Sequence, residues 1–590
     1  MRYRLFSQVG FAVAAALPFV FLAALTLYPL LQQLFGSFYI WYQLKPSTFT
    51  GVTNYMRLFG DPVARAAALR TLGYVLVTVP CEVGLGLAAA SLTLRARRGQ
   101  ALLLALFILP LVVPWPAAAQ LFEQAPGWSH LYDNSVFLSM LLIVIGIWKG
   151  TPWCFLLLLG ALSISPAEVF EAARIDGAHG MAYLRRILLP AVRPMLIFVV
   201  VLRILAEAQN LTSVTLLTGG GPSFSTQVSA YYGYEMAFSY FQFGEAAALA
   251  TLLGAALIVV ALAGWRLAWP RKAAAPASAG APSTHALRAL EPPHKANQRP
   301  PVPPQAGTGR GSRRPKQRGL THSMAWASRG RWSVLVFMLA LVLIPFAGGA
   351  RGLASSQGTG GSGGPGGRPR PPGLNFGVFD VQWRLIDTGL RNSAIVTAGT
   401  LIATLLLAIP AAYLLARTKF RLNGALFVFV LFTLAIPGVV IILPEVEEMA
   451  RLHLVNTHLG LICLYTAANL PLAAFFLRPA FASVPEPLVE GMRVDGASGL
   501  VIMRRLFLPF TARTMVGVAL LVVVFVWNEL PLAVVMINSQ SLQTLPVLIA
   551  LGIGGSGSLQ SSWISMAPPL LLFLMTLPYF RRGLITGSLL

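Results

Sequence analysis

Arg203 and Glu207 stand four residues apart inside a long apolar run, with Asn210 close behind. Residues four apart share one face of a helix, so this run carries a charge pair with an amide near the same face. Ionisable groups within an apolar span are costly and mark functional candidates; the alternative is that the two simply neutralise each other as a buried pair. A second set, Trp527-Asn528-Glu529, closes another apolar run. An indole plane beside an amide and a carboxyl suits a polyhydroxylated ligand, with ring faces on the indole and hydroxyls on the polar groups. Glu82 and Lys149 also interrupt apolar runs and read as structural partners of neighbouring helices, while Trp148 and Trp153 read equally as membrane-interface anchors. Gly360-Gly361-Ser362-Gly363-Gly364 formally matches the G-x-S-x-G nucleophile pattern, but with neither strand before it nor helix after it the match is chance. No segment gathers an acid, a base and a nucleophile, so no catalytic residue and no enzyme are expected. Cys81, Cys154 and Cys463 lie in separate apolar runs and read as small core hydrophobes. His453 and His458 are five apart rather than four, so neither a metal nor a cofactor site is expected.

The elements that must position these groups are membrane spans. The chain has 590 residues, 56% of them hydrophobic and 11% charged, where soluble proteins average about 25% charged. A spanning helix needs about 20 mainly apolar residues. Twelve stretches qualify, near 11–34, 71–94, 101–120, 136–163, 194–216, 245–267, 332–349, 392–415, 424–444, 458–482, 510–536 and 563–580. Arg2 and Arg4 precede the first, but that run is longer than a signal peptide's apolar core of about 7–15 residues. Lys and Arg gather in alternate loops and are missing from the loops near 121–135, 217–244 and 537–562, which predicts both termini on the cytoplasmic side. The formal charge of +24, which alone would suggest nucleic acid, is therefore a topological signature, and anionic membrane lipids are its expected partner. Residues 268–331 turn to Pro, Ala, Gly and basic residues and read as a disordered cytoplasmic linker.

An internal repeat organises the rest. Residues 166–190 and 485–509, aligned without gaps at an offset of 319, are identical at 11 of 25 positions, where average residue usage gives roughly one or two by chance. Both segments follow the fourth span of their half. The expected architecture is an all-α integral membrane protein of about twelve helices in two six-helix halves, 1–267 and 332–590. In the first copy Ser165 can cap a helix with Pro166 at its first position and Glu168 at its third. Asp176 and Gly177 break that helix, and Asp176 can cap a second one carrying Tyr183, Arg185 and Arg186 before Pro190. Two short helices meeting at a fixed bend make a knob suited to a partner's groove.

Here the residues resemble a family. Glu171-Ala172-Ala173, Asp176-Gly177-Ala178 and Leu189-Pro190 resemble the EAA loop of permease subunits in bacterial ABC importers. The flanks agree: Asn54-Tyr55, Leu58-Phe59 and Asp61-Pro62; Ile147-Trp148-Lys149; and Leu217-Thr218-Gly219-Gly220-Gly221-Pro222 with Thr226 are similar to the first permease of the carbohydrate-uptake, maltose-type class. Ala411-Ala412-Tyr413 with Ala416-Arg417, Asp495-Gly496-Ala497 and Trp527-Asn528-Glu529 resemble its partner permease. The resemblance implies a fused permease of the bacterial inner membrane whose EAA loops, near 165–190 and 484–509, insert coupling helices into a separate cytoplasmic ABC ATPase dimer. ATP closure would swing the spans between inward-facing and outward-facing states, with substrate delivered by an extracytoplasmic solute-binding protein. Glu171, Ala172, Ala173, Asp176, Gly177 and Ala178 would couple in the first loop, and Glu490, Asp495, Gly496 and Ala497 in the second. The substrate pathway would run between the spans carrying Arg203, Glu207 and Asn210 and those carrying Trp527, Asn528 and Glu529.

The second loop departs from the pattern: Gly491 and Met492 replace the alanines, Val484 replaces the capping serine and Pro487 is added. Since interior glycine costs about 1 kcal/mol against alanine, weaker or asymmetric docking is expected there. No Gly-x-x-x-x-Gly-Lys-Ser/Thr phosphate loop is present, so ATP hydrolysis is expected on the partner. Fused ABC permeases for iron, thiamine or polyamine are the alternative within the class, although the Asp-Gly-Ala triplets and the Thr-Gly-Gly-Gly-Pro stretch favour a sugar. An ion-coupled secondary transporter would also show twelve spans in two halves, without needing two such inner loops.

Overall fold

The computed structural model describes residues 16–42, 45–95, 99–123, 133–164, 184–268, 379–418, 421–436, 438–552 and 558–586, with isolated positions at 131, 340, 342–343 and 345–346. Residues 165–183 of the first EAA-like loop (near 165–190), the linker, the glycine tract with Gly360 to Gly364 and most of the expected seventh span therefore lie outside the described residues.

Among the described residues eight helices are long and apolar enough to cross a membrane, and ten if each of two bent pairs counts as one span. In the first half these are α1 (Ala16–Gly36), α3 (Pro62–Leu94), the pair α4 (Gln100–Val112) and α5 (Trp115–Glu123), α6 (Ser135–Ile164), α7 (Leu189–Glu207) and α10 (Phe243–Ala268). Between them lie the short helices α2 (Thr53–Gly60), α8 (Thr212–Leu217) and α9 (Ser229–Phe238). The second half has α11 (Phe379–Arg417), the pair α12 (Asn423–Ala435) and α13 (Gly438–Arg451), α14 (His458–Ala482), α15 (Glu486–Val494), α16 (Gly499–Ile502), α17 (Leu508–Asn528), α18 (Pro531–Met536), α19 (Leu545–Ala550) and α20 (Ser558–Thr586).

Three findings go beyond the sequence reading. The third and ninth spans are broken: α4 meets α5 at 96° and α12 meets α13 at 97°. Pro114 explains the first break, because proline supplies no N–H and clashes with the preceding turn. A two-stranded antiparallel hairpin, β1 (Tyr39–Tyr42) with β2 (Lys45–Phe49), follows α1. Asn54, buried on α2, holds it by donating from Nδ2 to the carbonyls of Ser37 and Tyr39, each at 2.9 Å. Finally, the repeat extends into the backbone, since π-turns at Leu184–Leu188 and Met503–Phe507 lead into Leu189-Pro190 and Leu508-Pro509 at the same offset of 319. The missing proline N–H removes one regular helix bond at the matching turn of both copies.

Small residues let the spans approach closely. A Cβ on Gly86 of α3 would fall 2.5 Å from Cys154 Cβ on α6, and one on Gly399 of α11 would fall 2.5 Å from Ile462 Cδ1 on α14. The halves also interlock. Gln32 of α1 donates to Glu447 of α13 at 2.8 Å, and Arg451 of α13 donates to Tyr28 at 3.3 Å while pairing with Glu447. Cys154 is buried as expected, whereas Cys81 is exposed on the flank of α3 rather than in the core. Trp148 is 1% exposed, edge-on to Phe122 at 5.4 Å, and so is a core residue rather than an interface anchor.

Candidate functional site

Two polar centres sit inside the bundle, joined by consecutive residues of α6. The first surrounds Arg203. Its Nε donates to Glu82 Oε2 at 2.7 Å and its Nη2 to Glu82 Oε1 at 3.3 Å, and Nη2 also bonds Glu207 Oε1. Glu207 Oε2 accepts from Tyr74 Oη at 2.8 Å; Tyr74 Oη accepts from Asn210 Nδ2 at 2.6 Å; Asn210 Oδ1 accepts from Ser213 Oγ at 2.5 Å. All of these groups are buried. A guanidinium taken out of water needs such satisfied partners, and here α3 supplies Glu82 and Tyr74, α7 supplies Arg203 and Glu207, and α6 closes over them with glycines. A Cβ on Gly150 would lie 2.2 Å from Glu82 Oε1, and one on Gly146 would lie 2.1 Å from Tyr74 Oη.

The second centre surrounds Lys149. Its Nζ donates to Val113 O at 2.5 Å, to Asn528 Oδ1 at 2.8 Å and to Pro110 O at 3.2 Å, and lies 5.1 Å from the Trp115 ring centroid. The geometry follows from the broken third span. In an unbroken helix Pro110 O would accept from the N–H of residue 114, which is proline; the lysine occupies the freed carbonyl. Asn528 Nδ2 similarly donates to Leu111 O at 3.2 Å and to Val524 O at 2.7 Å. Asn528 of the second half and Lys149 of the first thus share the buried carbonyls of one bend. Irregular backbone at membrane depth persists where it is buried in protein or lines a cavity. An apolar cavity lies next to it, lined by Leu104, Ile108, Leu111, Trp153, Phe476 and Val524.

The sequence-derived residues divide as follows. Arg203, Glu207 and Asn210 do share one network, but the principal partner of Arg203 is Glu82 on another span. Trp527, Asn528 and Glu529 do not form one face. Trp527 is buried, with Nε1 donating to Ser565 O at 2.9 Å; Asn528 turns to the α4–α5 bend; Glu529 lies past the end of α17, where it accepts from Leu532 N at 2.8 Å, Ala533 N at 3.2 Å and Tyr465 Oη at 2.5 Å. Glu529 therefore caps α18, a carboxylate at a helix N-terminus. Glu82, Tyr74, Lys149 and Gly150 are members that periodicity did not select; the usable signal was the interruption of apolar runs by Glu82 and Lys149.

The second repeat loop stands out from the bundle. α15 ends at Asp495, and Gly496 follows with φ of 78°, a left-handed turn natural to glycine. The next helix, α16, is capped by Ser498, whose Oγ accepts from Val501 N at 3.4 Å; the aspartate ends the first helix here rather than starting the second. Val489 is buried and Met492 and Ala497 pack on the core, whereas Leu488, Val494 and Leu500 are 49%, 87% and 79% exposed. Glu490, Asp495 and Gly496 are exposed as well. Glu171, Ala172, Ala173, Asp176, Gly177 and Ala178 of the first loop lie outside the described residues.

A family model described as "Binding-protein-dependent transport system inner membrane component" matches the chain twice, over residues 82–271 and 405–581. Among curated relatives, the probable ABC transporter permease protein YurM of Bacillus subtilis (strain 168) is 32% identical over 211 residues, which cover 34% of this chain and 69% of its own. The melibiose/raffinose/stachyose import permease protein MelC of the same organism is 29% identical over 229 residues, 37% of this chain and 82% of its own. The inner membrane ABC transporter permease protein YcjO of Escherichia coli (strain K12) is 30% identical over 282 residues, 43% and 93%. A chain of a bacterial alginate ABC transporter, solved in complex with an alginate pentasaccharide-bound periplasmic protein, aligns over 44% of this chain and 95% of its own, with TM-score 0.38 and 18% identity. Each relative fills most of its own length with less than half of this one. With the domain present twice and covering more than half of the residues, the chain belongs to the binding-protein-dependent transport family, as a multi-pass inner-membrane ABC permease with two permease domains joined in one polypeptide.

Proposed function

We propose that this permease imports a sugar or oligosaccharide, handed over by an extracytoplasmic solute-binding protein and driven by a separate cytoplasmic ATPase dimer. The observation that carries the reading is the second repeat loop: two short helices fixed at Gly496, projecting from the bundle and presenting Leu488, Val494 and Leu500 to solvent. Large apolar side chains left exposed on a projecting helix pair mark a protein contact, and an ATPase cleft is the partner that a permease of this family requires. Both termini, the linker 268–331 and both loops are assigned to the cytoplasm by the Lys and Arg distribution. The two halves are 1–267 and 332–590.

Within the bundle, substrate would pass beside the α4–α5 bend. The donors of Lys149 and Asn528 are all engaged in this state; they would exchange these bonds for substrate hydroxyls during passage, and Trp153 lines the adjoining cavity. The outer segments, which together hold as many Lys and Arg as Asp and Glu, and the melibiose, raffinose and stachyose in the name of MelC both support an uncharged sugar.

Reconstitution tests this directly. Proteoliposomes holding the full chain should take up labelled raffinose only when the ATPase, ATP and the binding protein are all supplied. Uptake driven by an ion gradient without ATPase would overturn the reading, and uptake of iron, thiamine or polyamine instead would overturn the substrate class.

A further inference from the structure

Arg417, the last residue of α11, touches both ends of the second repeat loop. Its Nε donates to Phe481 O at 2.9 Å, its Nη2 bonds Val484 O, and its Nη1 pairs with Glu486 Oε2 at 2.6 Å. The guanidinium also lies 5.2 Å from the centroid of Phe507, which is fully buried where the chain leaves the loop for α17. Phe481 O is one of the last carbonyls of α14, which have no donor within their own helix and favour a cation. Val484 and Glu486 lead into α15. One planar fork of donors therefore gathers the end of one span, the entry of the loop and its exit, and ties all three to the end of a fourth element. The Arg417 side chain is 13% exposed while Glu486 is 54% exposed, so the carbonyl bonds and the ring contact outweigh the solvent-screened ion pair. A lysine could not reproduce this, since its ammonium is a point charge on a flexible stem.

We propose that Arg417 is the positioning residue of the second coupling loop: it fixes the loop base to α11, so that a push on α15 moves the span instead of being absorbed by bending of the loop. This rests on the coupling reading above. A loop tied at both ends to one rigid element moves with it, whereas an untied loop hinges at Ser483 and Gly496 and decouples the ATPase from the bundle.

The test compares the full chain with R417M, R417K and V494D in lipid nanodiscs. Hydrogen exchange should show amides of 484–500 exchanging about tenfold faster in R417M, the scale set by losing a charge-assisted hydrogen bond, with α11 and α14 protected as before. In the complex with the ATPase, stimulation of ATP hydrolysis by the liganded binding protein should fall by a similar factor, and R417K should lie between R417M and the native chain. Unchanged loop exchange in R417M would overturn the proposal, as would exchange rising equally through α11 and α14, which marks a merely structural role. Should R417M not be recovered from membranes, R417K supports the same comparison with the same two outcomes. V494D separates the layers: if it leaves ATPase association intact, the coupling reading fails; if it detaches the ATPase while R417M behaves as the native chain, the clamp alone fails.

Discussion

Gly150→Ala adds one methyl group at the point where α6 crosses the Arg203 network, and it should cost far more than its size suggests. The new Cβ would lie 2.2 Å from Glu82 Oε1, 2.3 Å from Glu82 Cδ and 2.5 Å from Arg203 Nη2. All three are side-chain ends, which in an open site would swing aside. Glu82 is 0% exposed and holds Arg203 through two bonds, while Arg203 is held in turn by Glu207, so neither can move without breaking the pairing. Overpacking of this kind costs about 1–3 kcal/mol, and loss of one charge-assisted hydrogen bond adds about 1.5–3 kcal/mol. Alanine returns about 1 kcal/mol of helix propensity. The net destabilisation is therefore about 1.5–5 kcal/mol, a range that includes the cost of breaking a buried ion pair. The assay is survival of the monodisperse peak on size-exclusion after graded heating in detergent, alongside ATP-driven uptake. Gly73→Ala and Gly84→Ala are the controls, because a Cβ at either position of α3 meets nothing within 4 Å. If Gly150→Ala melts with these controls and transports normally, the network does not hold α3, α6 and α7 in the way described.

Three further expectations follow from the same geometry. Gly491→Ala meets nothing within 4 Å and should stabilise α15 by about 1 kcal/mol; a rise in ATPase stimulation is expected, and no change would remove the idea that this loop docks more weakly than the first. Asn528→Ala leaves Lys149 with carbonyl partners only and should reduce uptake several-fold while the ATPase still co-purifies, as should Glu207→Ala, and normal uptake by both variants would take them out of the pathway. Asn54→Ala strips one buried and one partly buried carbonyl of their donor and should cost about 1–3 kcal/mol, read as accelerated proteolysis of the 37–54 segment in the intact protein, and an unchanged digestion rate would refute the tie.

The extent to which the site was legible differs residue by residue. Arg203 and Glu207 were found because their pairing is local: four positions on one helix are a sequence property. Glu82 and Tyr74 belong to the same network but reach it from α3, and only packing brings them there. Trp527-Asn528-Glu529 misled as a group, since neighbours on a helix point about 100° apart and the third lies beyond the helix end, where it caps α18. The spans were visible as apolar stretches, yet the right-angled breaks were not, because hydropathy is blind to direction; Pro110, Pro114 and Pro116 were the overlooked marks. The hairpin at 39–49 was hidden by its closeness to the first apolar run, although Tyr39, Ile40, Trp41, Thr48 and Phe49 favour strands.

The interlock between α1 and α13 bears on how the protein is made. Tyr28 and its partner Arg451 are separated by 423 positions, so at about 5–20 residues per second the first span waits roughly 20 to 80 s for its mate to be synthesised. Lipid can cover its apolar flank during that interval, but it cannot satisfy Gln32 and Gln33, which end up against Glu447 and in the protein interior. The nascent first span thus enters the bilayer with Gln32 still lacking Glu447, which lies 415 positions further along the chain, so this polar tie between the halves closes only once the second half has been made.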